Sequence, residues 1–107
     1  MAEAKRNDIS DEKIPLHLLP TAALEEVGKV MAFGAVKYGE DNWMLGLPWR
    51  RTIGSCLRHI FLWVRGQDVD KESGLPHLAH AACNLLFILE WIELKRGKDD
   101  RADYKKA

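Results

Sequence analysis

Apolar and polar positions along this chain recur at helical spacing in three stretches, and nowhere do they alternate in the two-residue rhythm of a half-buried strand. In the first stretch Leu24, Val27, Met31, Ala35 and Tyr38 follow the helical period, with Val30 and Phe33 widening the stripe. Thr21 is placed to cap it, Glu25 and Glu26 suit the positive end of its dipole, and Gly39 closes it. The second stretch runs from Pro48 to Arg65 and stops at Gly66, with Ile53, Cys56, Leu57, Ile60, Phe61 and Val64 predicted to face the core. The third begins behind Ser73 as a cap and Pro76 in its first turn, and Gly97 offers the stop. Between Ala81 and Ile92 only Asn84 and Glu90 are polar, so its apolar stripe covers nearly the whole circumference.

A helix without a polar side has to be covered all round, and two helical neighbours of similar length cannot do that. The pattern therefore predicts an all-α fold: three main helices per chain in a bundle completed by oligomerisation, as a homodimer or higher homo-oligomer. Leu85, Leu86, Leu89, Trp91 and Ile92 are expected to divide between the core and a subunit interface. Flanking this domain, residues 14–96, are a polar arm at 1–13 and a charged tail at 97–107, both expected to be flexible or frayed. Ile14–Pro20, with two prolines, suits an extended segment packed over a helix end, and His17 there has no neighbours that complete a site.

Composition narrows the partners. Sixteen basic residues balance sixteen acidic ones, so no overall field favours nucleic acid as the partner. The longest apolar run, Leu85 to Leu89, is far short of the roughly 20 residues that span a bilayer, and the charged amino terminus is not a signal peptide. These features predict no membrane association and a cytoplasmic location. Cys56 and Cys83 are expected as buried free thiols.

The candidate chemistry is local. His77, His80, Asn84 and Trp91 fall on one line of the third helix, either as satisfied core polar groups or as the wall of a site. Lys37, Tyr38, Asn42 and Trp43 cluster where the first helix ends. The indole could stack on a base, the amide read its edge and the ammonium meet a phosphate; the alternative is a helix end with Trp43 folded over the core. Arg51, Arg58 and Arg65 recur along the second helix as a solvated face or as a triphosphate groove, and His59 is expected at the edge of the buried face. Asp68, Asp70 and Glu72 precede His77 and His80, which gives either a polar connector or a set of oxygen and imidazole metal ligands.

Taken together, Lys37-Tyr38-Gly39, Asn42-Trp43, Arg58-His59, Gly66, Asp70, Glu72-Ser73-Gly74, His77-Leu78-Ala79-His80 and Asn84 resemble the signature of the phage dATP/dGTP diphosphohydrolase N-terminal-like family, over about residues 14 to 94. That family looks related to the MazG-like all-α nucleoside triphosphate pyrophosphohydrolases, which hold magnesium on helical carboxylates. The resemblance implies a metal-dependent (deoxy)nucleoside triphosphate pyrophosphohydrolase releasing pyrophosphate and a nucleoside monophosphate, in the host cytoplasm if phage-encoded. In that scheme Asp70, Glu72, His77 and His80 hold or neighbour Mg2+ (or Mn2+), and His59 or His80 takes a proton. Lys37 and Arg58 meet the phosphates, and Tyr38, Asn42, Trp43 and Asn84 complete the substrate site. The EExxE and ExxD helices of MazG-like enzymes are not present in full, and His80 and Asn84 fall where carboxylates would stand. The alternative is a non-catalytic helical oligomer that holds a nucleotide or a protein partner.

Overall fold

A computed structural model describes residues 13–104. It contains three α-helices, α1 (Thr21–Tyr38), α2 (Trp49–Val64) and α3 (His77–Leu94), and among the described residues no strand. Short 3-10 turns occupy Leu16–Leu18 and Asn42–Leu45. The all-helical expectation is met. No described helix is long and apolar enough to cross a membrane.

The helix ends use backbone and proline more than side-chain caps. Thr21 is the first residue of α1 rather than its cap, because Pro20, with φ fixed near −72°, already delivers its carbonyl to the Leu24 N–H at 3.0 Å. Gly39, at φ +100°, ends the helix as expected. Likewise Pro76, not Ser73, precedes the first turn of α3, and the Ser73 hydroxyl is used elsewhere. α3 stops three residues before Gly97, with Lys95 in the left-handed region and the Arg96 N–H returning to the Trp91 carbonyl.

α3 is the central element. Ala79 and Cys83 pack on Val27 and Val30 of α1, with Met31 and Phe87 closing around them. Cys56 of α2 lies against the Ala81 carbonyl, its Sγ 3.5 Å away. Both cysteines are buried free thiols, and burial pushes the Cys83 thiol up to about 11. Trp91 is fully buried, its indole N–H donating to the Trp43 carbonyl at 2.8 Å.

One face was assigned wrongly from the pattern. The inward line of α2 is Thr52, Cys56 and His59, and the apolar line expected to form its core side is largely exposed: Ile53, Leu57, Phe61 and Val64. A long apolar stripe marks a face that must be covered, without saying by which chain. On α3, Leu78, Leu85, Leu86, Leu89 and Ile92 are exposed too. The Ile14–Leu19 segment does not pack over a helix end; Ile14, Leu16 and Leu18 stand in solvent.

The segment after α3 is also not frayed where it is described. Lys98 exchanges backbone hydrogen bonds with Leu47 and Trp49, and the Asp100 carboxylate accepts the Arg50 N–H in the first turn of α2 at 2.9 Å. This return depends on two glycines. A Cβ on Gly46, at φ +85°, would lie 2.2 Å from the Gly97 nitrogen, and one on Gly97, at φ +72°, 2.5 Å from the Leu47 carbonyl oxygen.

Candidate functional site

The connector between α2 and α3 builds the site. Val69 and Pro76 form a bridge, the Asp70 N–H donates to the Leu75 carbonyl at 2.8 Å, and the Gly74 N–H returns to the Asp70 carbonyl at 2.7 Å. Inside this turn Asp70 Oδ2 accepts both the backbone N–H and the hydroxyl of Ser73, at 2.9 and 3.0 Å. Ser73 Oγ in turn lies 2.7 Å from His80 Nε2. The hydroxyl hydrogen goes to the carboxylate, so His80 Nε2–H is the donor to Ser73, leaving Nδ1 of a neutral ring as the lone-pair atom.

A second chain of bonds runs beside it. His77 Nε2 is 2.6 Å from Gln67 Oε1, His77 Nδ1 is 2.8 Å from His59 Nδ1, and His59 Nε2 is 3.5 Å from an Arg58 guanidinium nitrogen. An amide oxygen only accepts, so His77 carries its hydrogen on Nε2 and offers the Nδ1 lone pair. His59 must then donate from Nδ1, and its Nε2 accepts from Arg58. One tautomer at each ring satisfies every contact. The chains touch where His59 stacks on His80, centroids 4.5 Å apart and planes 8° from parallel.

Burial lowers the basicity of His59 to about 4, helped by His80, Arg58 and His77. It lowers that of His80 also, against the attraction of Asp70. Burial would raise the Asp70 carboxyl, but its two bonds from Ser73 and the nearby histidines outweigh this and hold it below the usual range. At neutral pH an ionised Asp70 therefore lies beside neutral rings at His59 and His80.

A cleft of about 250 Å³ opens between α1, the loop after it, α2 and α3. Lys37, Tyr38, Asn42, Trp43, Arg58, His59, Asp70, Glu72, His80 and Asn84 all border it. Of the residues that the family resemblance placed in the site, His77 alone does not; it lies behind His59, with no exposed surface. Lys37 and Glu72 pair across the cleft at 2.6 Å. Trp43 stacks one face on Phe87, 4.8 Å between centroids. Asn84 reaches Ser55 at 3.4 Å. Arg51 and Arg65 do not line the cleft, so the arginine stripe contributes Arg58 alone. Sequence reasoning missed Gln67, which locks His77, and took Ser73 for a cap when it links Asp70 to His80.

For a metal, His59, Asp70 and His77 can each bring one ligand atom within 4.8 Å of the others. This set has two imidazoles and one carboxylate. Magnesium prefers hard oxygens in octahedral array, and the set does not match a magnesium centre made of helical carboxylates; of the two expected ions, manganese matches better. Glu25 and Glu26, the acidic pair of α1, are no substitute: neither borders the cleft, and Glu26 pairs with Lys29 at 2.8 Å.

Fold and site together define an all-helical protein with a polar cleft flanked by cations and imidazoles. The chain belongs to the family described as dATP/dGTP diphosphohydrolase, N-terminal, whose model matches residues 3–101. It is 40% identical over 89 residues to a protein of Salmonella phage PMBT28 named dATP/dGTP diphosphohydrolase. That match covers 83% of this chain but 30% of the phage protein, so the chain spans under a third of that relative's length. No solved structure matches it.

Proposed function

We propose that the cleft binds a (deoxy)nucleoside triphosphate and hydrolyses it to pyrophosphate and the nucleoside monophosphate. The observation that carries this reading is the meeting, in one cleft, of Lys37 and Arg58 with Asn42, Trp43 and an Asp70–Ser73–His80 chain. Lys37 and Arg58 hold the phosphates, Arg58 by its planar fork. Asn42 meets the base edge, and Trp43, with one face already on Phe87, offers its remaining surface to the base, beside Tyr38 and Asn84. The nucleotide enters as its magnesium or manganese complex, the ion travelling with the phosphate oxygens.

His80 is the better placed of the two candidate bases. Both nitrogens of His59 are engaged, whereas His80 Nδ1 carries no hydrogen bond among the described residues. Water bonds to the α-phosphorus, the bond from that phosphorus to the bridging oxygen breaks, and pyrophosphate leaves with the electron pair. The water proton passes to His80 Nδ1, and Asp70, through Ser73, stabilises the imidazolium that results. The proposed site of this activity is the cytoplasm of an infected host, a reading supported by the phage origin of the relative. The exposed apolar lines of α2 and α3 support a homo-oligomer as the working form.

Incubation with each deoxynucleoside triphosphate and magnesium or manganese is expected to release pyrophosphate and the matching monophosphate. The same assay on His80→Ala should lose most of that rate, with the melting temperature within a few degrees of the parent. No pyrophosphate from any nucleotide, with the helical fold intact, would remove the enzymatic reading. The second reading, a binding module that holds a nucleotide or protein partner without turning it over, is favoured by the histidine network itself, in which His59, His77 and His80 each already hold a side-chain partner. Under it, nucleotide binds and is recovered unchanged.

A further inference from the structure

The Nδ1 atoms of His59 and His77 face one another 2.8 Å apart with a single hydrogen between them, and Asp70 can bring a carboxylate oxygen within 4.8 Å of ligand atoms of both rings. We propose that His59, Asp70 and His77 form a centre for a divalent transition-metal ion of borderline softness, of which zinc and cobalt are the best-fitting examples, at the inner end of the cleft. Its donor chemistry, two imidazoles and a carboxylate, suits such ions and disfavours magnesium and calcium.

Three features prepare the residues for this. His77 Nε2–H is held by Gln67 Oε1 at 2.6 Å, which fixes the ring and aims the Nδ1 lone pair at His59. A carbonyl partner on the far nitrogen is the usual way a protein orients a ligating histidine. Asp70 gives only Oδ2 to Ser73, and its other oxygen carries no hydrogen bond among the described residues. The spacing of the two nitrogens is also close to what is needed, and Asp70, whose ligand atom lies within 4.8 Å of the imidazole atoms, has to move in to complete the set. Nitrogens bound at about 2.1 Å lie roughly 3.0 Å apart at right angles and roughly 3.4 Å apart in a tetrahedron, so the rings need to part by no more than about 0.6 Å.

The ion takes the place of the hydrogen between the rings. His59 then carries its hydrogen on Nε2, which no longer accepts from Arg58, and the guanidinium is free to turn into the cleft. The centre is distinct from the ion that accompanies a nucleotide, and it does not require that the cleft hydrolyse anything.

The test is cobalt titration of the chelator-stripped protein without nucleotide, followed in the visible spectrum and by thermal melting. Expected is a saturable absorption band at about one ion per chain, a rise in melting temperature, displacement of cobalt by zinc, and no response to magnesium alone. Asp70→Asn and His59→Gln should each weaken cobalt binding by about tenfold or more, and Gln67→Leu by about 10- to 100-fold. Circular dichroism identifies variants that have kept the fold, and the conclusion rests on those. The proposal is overturned if stripped wild-type protein shows neither band nor stabilisation, which would leave a purely structural histidine network. It is overturned equally if the band survives undiminished in folded Asp70→Asn and His59→Gln proteins. Pyrophosphate release by the stripped protein, measured in parallel, separates failure of this centre from failure of the nucleotide reading.

Discussion

At the scale of single residues, a few groups were assigned correctly by type and incorrectly by role. His59 was expected at the rim of a buried face; it sits at 5% exposure between two other imidazoles. Its depressed basicity has a sign that can be worked out. Between the ordinary value of 6.5 and about 4 the unfolded chain binds a proton that the folded chain does not, so stability falls as pH drops through that window. The loss attributable to this ring is about 2–3 kcal/mol, and urea midpoints taken between pH 8 and pH 4 should be flat above pH 7 and decline below it. Gln67→Leu should destabilise the protein by about 1–3 kcal/mol, because His77 Nε2–H is then buried without an acceptor. Denaturant unfolding of the metal-free protein at pH 7.5 measures it. Gln67 was not legible because a glutamine in a polar connector looks solvated until the turn that folds it back on His77 is seen. Ser73 before a helix has the form of a cap, and only the backbone of Pro76 shows that no cap is needed.

At the scale of elements, the three helices were legible almost to their ends, because apolar period and terminal glycine or proline are local signals. Which side of α2 turns inward was not. Its apolar line is longer than its buried one, Thr52, Cys56 and His59, and it is Cys56 and His59 that meet the Ala81 carbonyl and the histidines of α3. The return of residues 98–101 was equally hidden, since a charged tail is compatible with solvent until Gly46 and Gly97 let two backbones touch. Gly46→Ala should therefore cost about 1–3 kcal/mol from backbone conformation alone, with the clash against Gly97 added to it. Urea unfolding gives the sum, and faster amide exchange at Arg50, which donates to Asp100, shows that the tail has lifted.

At the scale of the whole molecule, the exposed apolar side chains on α2 and α3 are too many and too regular for scattered surface leucines. A second copy of the chain is the covering surface proposed here, and sedimentation should show a dimer or larger species at micromolar concentration. Leu57→Glu with Leu89→Glu, both at exposed positions, should shift that species to monomer without loss of helical signal. The candidate site follows a different logic from the core: its members come from α1, the loop after it, α2, the connector and α3, and their convergence could be suspected from clustered residue types but not measured. Line-of-sight along one helix predicted His77 and His80 together; only the fold puts His77 behind His59 and His80 in front.

The Lys37–Glu72 bridge has one more implication. It ties the end of α1 to the connector, and any anion that takes the ammonium has to displace a carboxylate already there. Under the proposed function a triphosphate, with its high charge, is expected to compete well for that lysine, and a monophosphate left after cleavage poorly. Under that reading the tether would act as a ratchet on occupancy, yielding to the incoming nucleotide and closing again behind the spent one.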